Sequence, residues 1–166
     1  MIALVRVDNR LLHGQILETW VPKLHATAVV VADDDAAASP LARAAMTLAL
    51  PPELPATIQA IADVDWAGLA ASADPVVVLV REVADLARAL AAGLTPARAP
   101  RVNLGNVHYA RGRRPVTPSV FLSEAEVAEV LALARAGFEV EARAIPSDAP
   151  VGAVEIERRY KAGGER

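Results

Sequence analysis

The chain is predicted to adopt an α/β fold with a mostly parallel central sheet covered by helices on both faces. Three observations carry that prediction. Short β-branched runs alternate with Ala/Leu-rich segments of helical length, the pattern of repeated β-α-β units. The runs at 2–7 and 76–80 are almost continuously apolar, as strands buried on both faces must be. No repeat, linker or low-complexity block divides the 166 residues, a length that one domain spanning 1–166 can turn into a proper core.

The elements follow in order. Residues 2–7 (IALVRV) are the first strand, and 15–24 the first helix, bent or ended by Pro22. Residues 28–32 are the second strand. Ser39 and Pro40 read as an N-cap followed by proline at the first helical position, opening a helix to about residue 50. Pro51, Pro52 and Pro55 enforce a turn before a third strand at 56–61 and a short helix at 62–71. The strand at 76–80 (VVVLV) precedes an amphipathic helix at 83–92, closed by Gly93. A strand at 101–104 ends in Gly105-Asn106, and 107–118 form a loop or short ribbon. Residues 120–122 lead into Ser123-Glu124-Ala125-Glu126, a capping box that starts a helix to Ala136. Gly137 ends that helix, and 139–144 are the last strand. From about 152 to 166 the chain is polar and charged, and partial fraying is expected there.

Composition narrows the chemistry. Hydrophobic residues make up 54% and aromatic ones 4%, so the core is aliphatic. With no cysteine, disulfides, thiolate nucleophiles and Cys-based zinc sites are excluded. His13, His25 and His108 lack metal-ligand spacing, so no metal is expected. A net charge of −3 argues against a nucleic-acid partner; Arg111, Arg113 and Arg114 are the one local basic cluster. No apolar run reaches membrane-spanning length and no signal-type segment is seen, so a soluble cytoplasmic protein is expected.

The candidate site is the loop after the first strand. There the apolar run gives way to Asp8-Asn9-Arg10-Leu11-Leu12-His13-Gly14-Gln15. Imidazole is a good nucleophile near neutral pH, and Arg6 and Arg10 can hold an anion beside it. A group on His13 would lie at the start of the first helix, near Gly14 and Gln15, where backbone N–H groups favour negative charge. Gly14 would allow close backbone approach or an unusual φ. In parallel sheets the ligand crevice lies beyond the carboxyl ends of the strands, the side on which this loop falls.

The string VRVDNRLLHGQILETW resembles the signature of the IIB components of the bacterial phosphoenolpyruvate:sugar phosphotransferase system, mannose/fructose/sorbose class. Supporting matches are the strand before Asp33 and Asp34, the Pro51-Pro52 pair, VNLGN at 102–106, the basic stretch before Ser123, and FEVEARAIPSD at 138–148. The resemblance implies a three-layer α/β/α sandwich with the active loop after strand 1. It also implies that His13 is a phosphocarrier, loaded by a IIA-component histidine and unloaded onto a sugar at membrane IIC and IID components. The chain would then work in the cytoplasm, docked at the inner membrane face, without a cofactor. The sheet edges leave room for a homodimer.

Phosphoryl transfer relies on positioning and electrostatics, so each nearby residue has a job to weigh. Arg10 is the first choice for gripping phosphate oxygens, with Arg6, Gly14 and Gln15 as further phosphate-binding residues; a solvent-side strand-end arginine is the other reading of Arg6. Asp8 either orients Arg10, fixes the His13 tautomer, or only forms the turn. Members of the class commonly carry an acidic residue where Asn9 stands. Asp33 and Asp34 read as a solvated turn and His25 as a surface residue; His108 is assigned no catalytic role, and Asn106 and Tyr109 would shape the crevice wall. Arg111, Arg113 and Arg114 read as a solvated loop or as a docking patch for an acidic surface. Trp20 and Trp66 read as core or interface packing. Two rival functions stay open: a regulatory phosphorelay protein of the same fold, and a non-enzymatic anion-binding module. The absence of a P-loop or G-x-G-x-x-G string weighs against nucleotides.

Overall fold

The computed structural model describes residues 1–164. Its strands are β1 (Ile2–Asp8), β2 (Ala28–Ala32), β3 (Ala56–Gln59), β4 (Val76–Val80), β5 (Arg101–Asn106), β6 (Arg114–Thr117), β7 (Val120–Leu122), β8 (Glu139–Ala142) and β9 (Val151–Gly152). Seven of them form one sheet in the order β3-β2-β4-β1-β5-β8-β9. All pairings in it are parallel except β8 with β9. A separate antiparallel ribbon joins β6 to β7. Of the stretch 107–118, residues 108–113 are a loop and Arg114–Thr117 form one strand of the ribbon, paired with 120–122.

The helices are α1 (Val21–Leu24), α2 (Asp34–Ala38), α3 (Pro40–Leu48), α4 (Trp66–Ala71), α5 (Val83–Ala91), α6 (Glu124–Arg135) and α7 (Ala153–Gly163). Strand alternation divides the sheet into two faces. Ile2, Val5, Val7, Val30, Val78 and Val80 point to a core closed by α4, α5, α6 and α7. Leu4, Val29, Val31, Val77 and Leu79 point the other way, under Leu11, Leu12, Ile16, Trp20 and Ala36. The second face is covered by the helical segment 14–24, α2 and α3. The result is the expected three-layer sandwich, with aliphatic side chains filling both interfaces.

Local signals act where the sequence places them. Ser39 accepts from the Ala42 N–H and Ser123 from the Glu126 N–H, while the Glu126 carboxylate takes the Ser123 N–H. Gly93 and Gly137 stop their helices at φ +114° and +103°. Pro22 acts differently from expectation. The segment is π-helical over Ile16–Trp20, and α1 carries Pro22 in its first turn. Widening just before the proline accommodates a residue that brings no N–H.

Two expectations need correction. The polar end from about 152 is helical: α7 runs to Gly163, buries Ile156 against the first core and packs on β6 and α6. Its charges mask a stripe of only a few apolar residues, which sequence periodicity reads weakly; residues 165–166 lie outside the described residues. Asp33 is not part of a solvated turn, although the Asp34 side chain beside it is half-exposed. Asp33 caps α2 through the Ala36 N–H and is gripped by Arg81 at 2.9 Å through both of its oxygens.

Candidate active site: the loop after strand β1

The central strand β1 lies between β4 and β5, and its carboxyl end is the topological switch of the sheet. Three residues on its second face, Leu4, Arg6 and Asp8, point towards Trp20 and the helical segment. Arg6 and Asp8 are both fully buried. An isolated charge there would be very costly, so the pair survives only because every partner is supplied.

The partners come from β1, β5 and the segment after β8. Arg6 reaches the Asp8 Oδ2 through Nη2 at 2.9 Å and through Nε at 3.3 Å. Its Nη1 donates to Asn103 Oδ1 at 2.6 Å and to the Arg143 carbonyl at 3.4 Å. Asn103 is the in-register neighbour of Arg6 on β5. Two residues further along that face is Gly105, where a Cβ would stand 1.8 Å from Arg6 Cζ. Glycine is required there to leave room for the guanidinium. Trp20 stacks over Arg6 with its ring centroid 5.3 Å from Cζ, and is anchored by its own N–H to the Ala144 carbonyl at 2.9 Å. Trp20 is therefore core packing, as expected.

The expectation of Arg6 as a phosphate contact or a solvent-side residue does not survive. Its side chain has no exposed surface, and its donors are directed to Asp8, Asn103 and Arg143. Hydrophobic flanks and a required polar cluster look alike in a strand read alone. Burial lowers the Arg6 pKa, opposed by the attraction of Asp8.

Asp8 is the hub. Burial opposes its ionisation, but the hydrogen bond to His13, the Arg6 charge and the Arg10 N–H outweigh that, holding the carboxyl below its usual range. Oδ2 lies 3.1 Å from His13 Nε2, and Oδ1 accepts the Arg10 N–H at 3.0 Å. Asn106 donates to Oδ1 at 3.4 Å and lies 3.0 Å from His108 Nε2. An ionised carboxylate can only accept, so His13 Nε2 carries a proton, and in the neutral ring Nδ1 holds the lone pair.

The loop that presents His13 is pinned from below. Leu11 and Leu12 are buried in the second core. Leu11 adopts φ +56°, and its N–H closes a turn on the Asp8 carbonyl at 2.9 Å. A left-handed leucine is strained by roughly 1–3 kcal/mol and persists only where packing over-determines it. The unusual φ anticipated at Gly14 thus falls on Leu11. At Gly14 a Cβ would come no nearer than 4.0 Å to Glu18, so the glycine leaves open space beside His13.

Arg10 and His13 remain on the outside, with 45% and 17% of their side-chain surfaces exposed. Arg10 Nη2 donates to Gln15 Oε1 at 3.2 Å, and its Nε lies 3.6 Å from Asp8 Oδ1. The His13 carbonyl accepts the Ile16 and Leu17 N–H groups at 3.1 and 3.3 Å, so the histidine heads the helical segment. His13, Arg10, Asp8, Gly14 and Gln15 are thus brought together, with Arg6 directly beneath. Among the described residues, no group of three His, Cys, Asp or Glu side chains is arranged to hold a metal, and no helix is long and apolar enough to cross a membrane.

A family model described as the PTS system sorbose subfamily IIB component matches residues 2–162. The chain belongs to that family of sugar phosphotransferase IIB components. It is 29% identical over 153 residues to the N-acetylgalactosamine-specific phosphotransferase enzyme IIB component 2 of Escherichia coli K12, covering 90% of this chain and 94% of that protein. It is 28% identical over 159 residues to the fructose-specific EIIB component of Bacillus subtilis 168, covering 95% and 96%. In fold it matches the IIBSor domain of the sorbose permease from Klebsiella pneumoniae, with a TM-score of 0.82, 21% identity and coverage of 95% and 96%.

Asn103 and Gly105, missed by sequence reasoning, gain roles in this IIB component, and Asn106, expected only to shape the crevice wall, gains a sharper one. Asn103 and Gly105 serve Arg6, and Asn106 serves Asp8. The signal was present in the VNLGN string, because strand alternation puts 103 and 105 on the face of Arg6. The basic cluster is dispersed: Arg113 is paired with Glu82 and Glu126, Arg114 lies 4.7 Å over the Tyr160 ring, and Arg111 stays exposed. The solvated-loop and docking-patch readings therefore fail for Arg113, whose charge is spent on Glu82 and Glu126, while Arg114 is half-buried against Tyr160. His25 is exposed, as expected.

Proposed function

We propose that this IIB component is a phosphohistidine carrier that uses His13 Nδ1. The observation that carries the reading is the 3.1 Å bond between His13 Nε2 and the buried Asp8 carboxylate. It fixes a neutral tautomer whose lone pair is on Nδ1. That nitrogen attacks the phosphorus of a phosphohistidine on a IIA component; the N–P bond there breaks and leaves the donor imidazole with the electron pair. The product ring carries phosphate on Nδ1 and a proton on Nε2, so it is cationic. Asp8 stabilises that cation from below without taking the proton.

Arg10 and Gln15 take the outer side. Arg10 grips phosphoryl oxygens, Gln15 holds the guanidinium, and Gly14 lets the backbone N–H groups approach. Arg6 is a positioning residue: it keeps Asp8 ionised and fixed. In the second step a sugar hydroxyl attacks phosphorus, the Nδ1–P bond breaks and the hydroxyl proton is released to solvent. The ring leaves as neutral imidazole, which makes the intermediate a good donor with no metal or other cofactor in the scheme. The sugar arrives through membrane IIC and IID components, and the chain works at the cytoplasmic face.

Phosphoenolpyruvate, the general phosphotransferase proteins and a mannose-class IIA component test this, with intact mass as readout. The parent chain is expected to gain one acid-labile, alkali-stable phosphoryl group, and His13→Ala none. Transfer that survives His13→Ala overturns the site. Anion binding without phosphoryl acceptance would favour a binding module instead.

A further inference from the structure

We infer that Asn9 is a positioning residue for the His13 loop, acting as an amide clamp between three elements; this rests on His13 being the phosphoryl acceptor. Asn9 follows β1 directly and precedes the strained turn at Leu11. Its Nδ2 donates to the Arg81 carbonyl at 2.8 Å and to Glu82 Oε1 at 3.0 Å, both just beyond β4. Its Oδ1 accepts the His108 N–H at 2.5 Å, beyond β5. Its own backbone N–H donates to the Asn106 carbonyl at 2.9 Å.

The assignment of the amide is over-determined. A backbone carbonyl can only accept and a backbone N–H can only donate, so oxygen and nitrogen have one consistent arrangement. Both amide hydrogens and the amide oxygen are used. A carboxylate of the same size would set an acceptor against the Arg81 carbonyl and a like charge against Glu82. An acidic residue at this position therefore needs a donor, not a carboxylate, at position 82.

Glu82 is itself held. Its Oε2 takes Arg113 Nη2 at 2.8 Å, and Arg113 also meets Glu126 through two bonds of 2.6 and 3.0 Å and the His108 carbonyl at 2.9 Å. Glu126 is the capping-box residue of α6. A continuous set of hydrogen bonds therefore runs from the fixed start of α6 through Arg113 and Glu82 to the side chain beside Asp8. Below, Leu11 and Leu12 hold the loop by packing; at its side, Asn9 holds it by direction. Asp8 then sets the plane of His13 from a backbone that cannot drift.

The test is a charge swap. Asn9→Asp, Asn9→Ser and the double variant Asn9→Asp/Glu82→Gln are compared with the parent. Rates of phosphoryl transfer from phosphorylated IIA are measured at varied donor concentration, and folding is checked by thermal unfolding. Asn9→Asp is expected to lower kcat on the order of ten- to a hundredfold with little change in KM for the donor, since misplacement near a reacting atom costs that much. In the double variant the new amide at position 82 donates to the new carboxylate at position 9, and most of the lost rate returns. Asn9→Ser breaks the clamp without adding charge, and is expected to slow transfer even if Asn9→Asp fails to fold. A folded Asn9→Asp or Asn9→Ser chain that transfers at the parental rate overturns the proposal, as does a double variant no faster than Asn9→Asp. If the parent itself takes no phosphate on His13, the carrier reading fails and not the clamp alone.

Discussion

The two faces of β1 are equally dry and are held in opposite ways. On one face Val5 and Val7 have no exposed surface and lie in an apolar core. On the other, Arg6 and Asp8 have none either, yet meet charges and amides. The first face tolerates graded change, because dispersion and burial scale with volume. The second does not, because each buried polar atom is satisfied only as part of the set. Packing supplies the strength of the sheet; the polar face supplies the one direction, from Arg6 through Asp8 to His13, that the proposed phosphoryl acceptor needs.

Breaking the polar face is expected to have the largest effect. Arg6→Met leaves Asp8 buried without its partner, and a loss of about 3–5 kcal/mol is expected in denaturant unfolding. A chain that loses no more than a surface substitution would dissolve the contrast between the faces. Gly105→Ala places a methyl group against the guanidinium, with an expected cost of about 1–3 kcal/mol and a fall in phosphoryl acceptance, followed by unfolding and intact mass. The apolar face answers more mildly. Ile2→Val, at a buried position in the first core, is expected to cost about 0.5–1.5 kcal/mol and to leave transfer unchanged.

Acid titration sharpens the comparison further. The Asp8 carboxyl sits below its usual range in the folded chain, so the unfolded chain binds its proton first as pH falls. The stabilisation is full above the unfolded value of about 3.9 and fades as pH drops through the folded value. Unfolding free energy measured down that range should therefore fall more steeply in the parent than in Asp8→Asn. Equal slopes would mean that Asp8 is not the hub.

What could be read in the chain differs by element. Strands β1, β2, β4 and β5 begin where β-branched runs place them, since apolar continuity is a local property that burial merely uses. The third strand ends at Gln59 rather than 61, and the strand after Gly137 at Ala142 rather than 144, where turns and a short helix take over. His13, Arg10 and Asp8 were legible because they sit within one loop. Arg6 was misjudged because two of its partners, Asn103 and the Arg143 carbonyl, stand 97 and 137 residues away. Arg113 was misjudged for the same reason, since Glu82 and Glu126 complete it from the starts of α5 and α6.

The periodicities, the caps at Ser39 and Ser123, the stops at Gly93 and Gly137, and the loop that carries the histidine are all written locally. They depend on neighbours a few residues apart, whose geometry the backbone fixes. Other features wait for the assembled sheet: Arg6 sealed under Trp20, the left-handed turn at Leu11, the tie that Asn9 makes between three elements, and the helix at the polar end. Each of those requires a partner supplied by a distant strand or helix, and hydrogen-bond direction and burial exist only once that partner is in place.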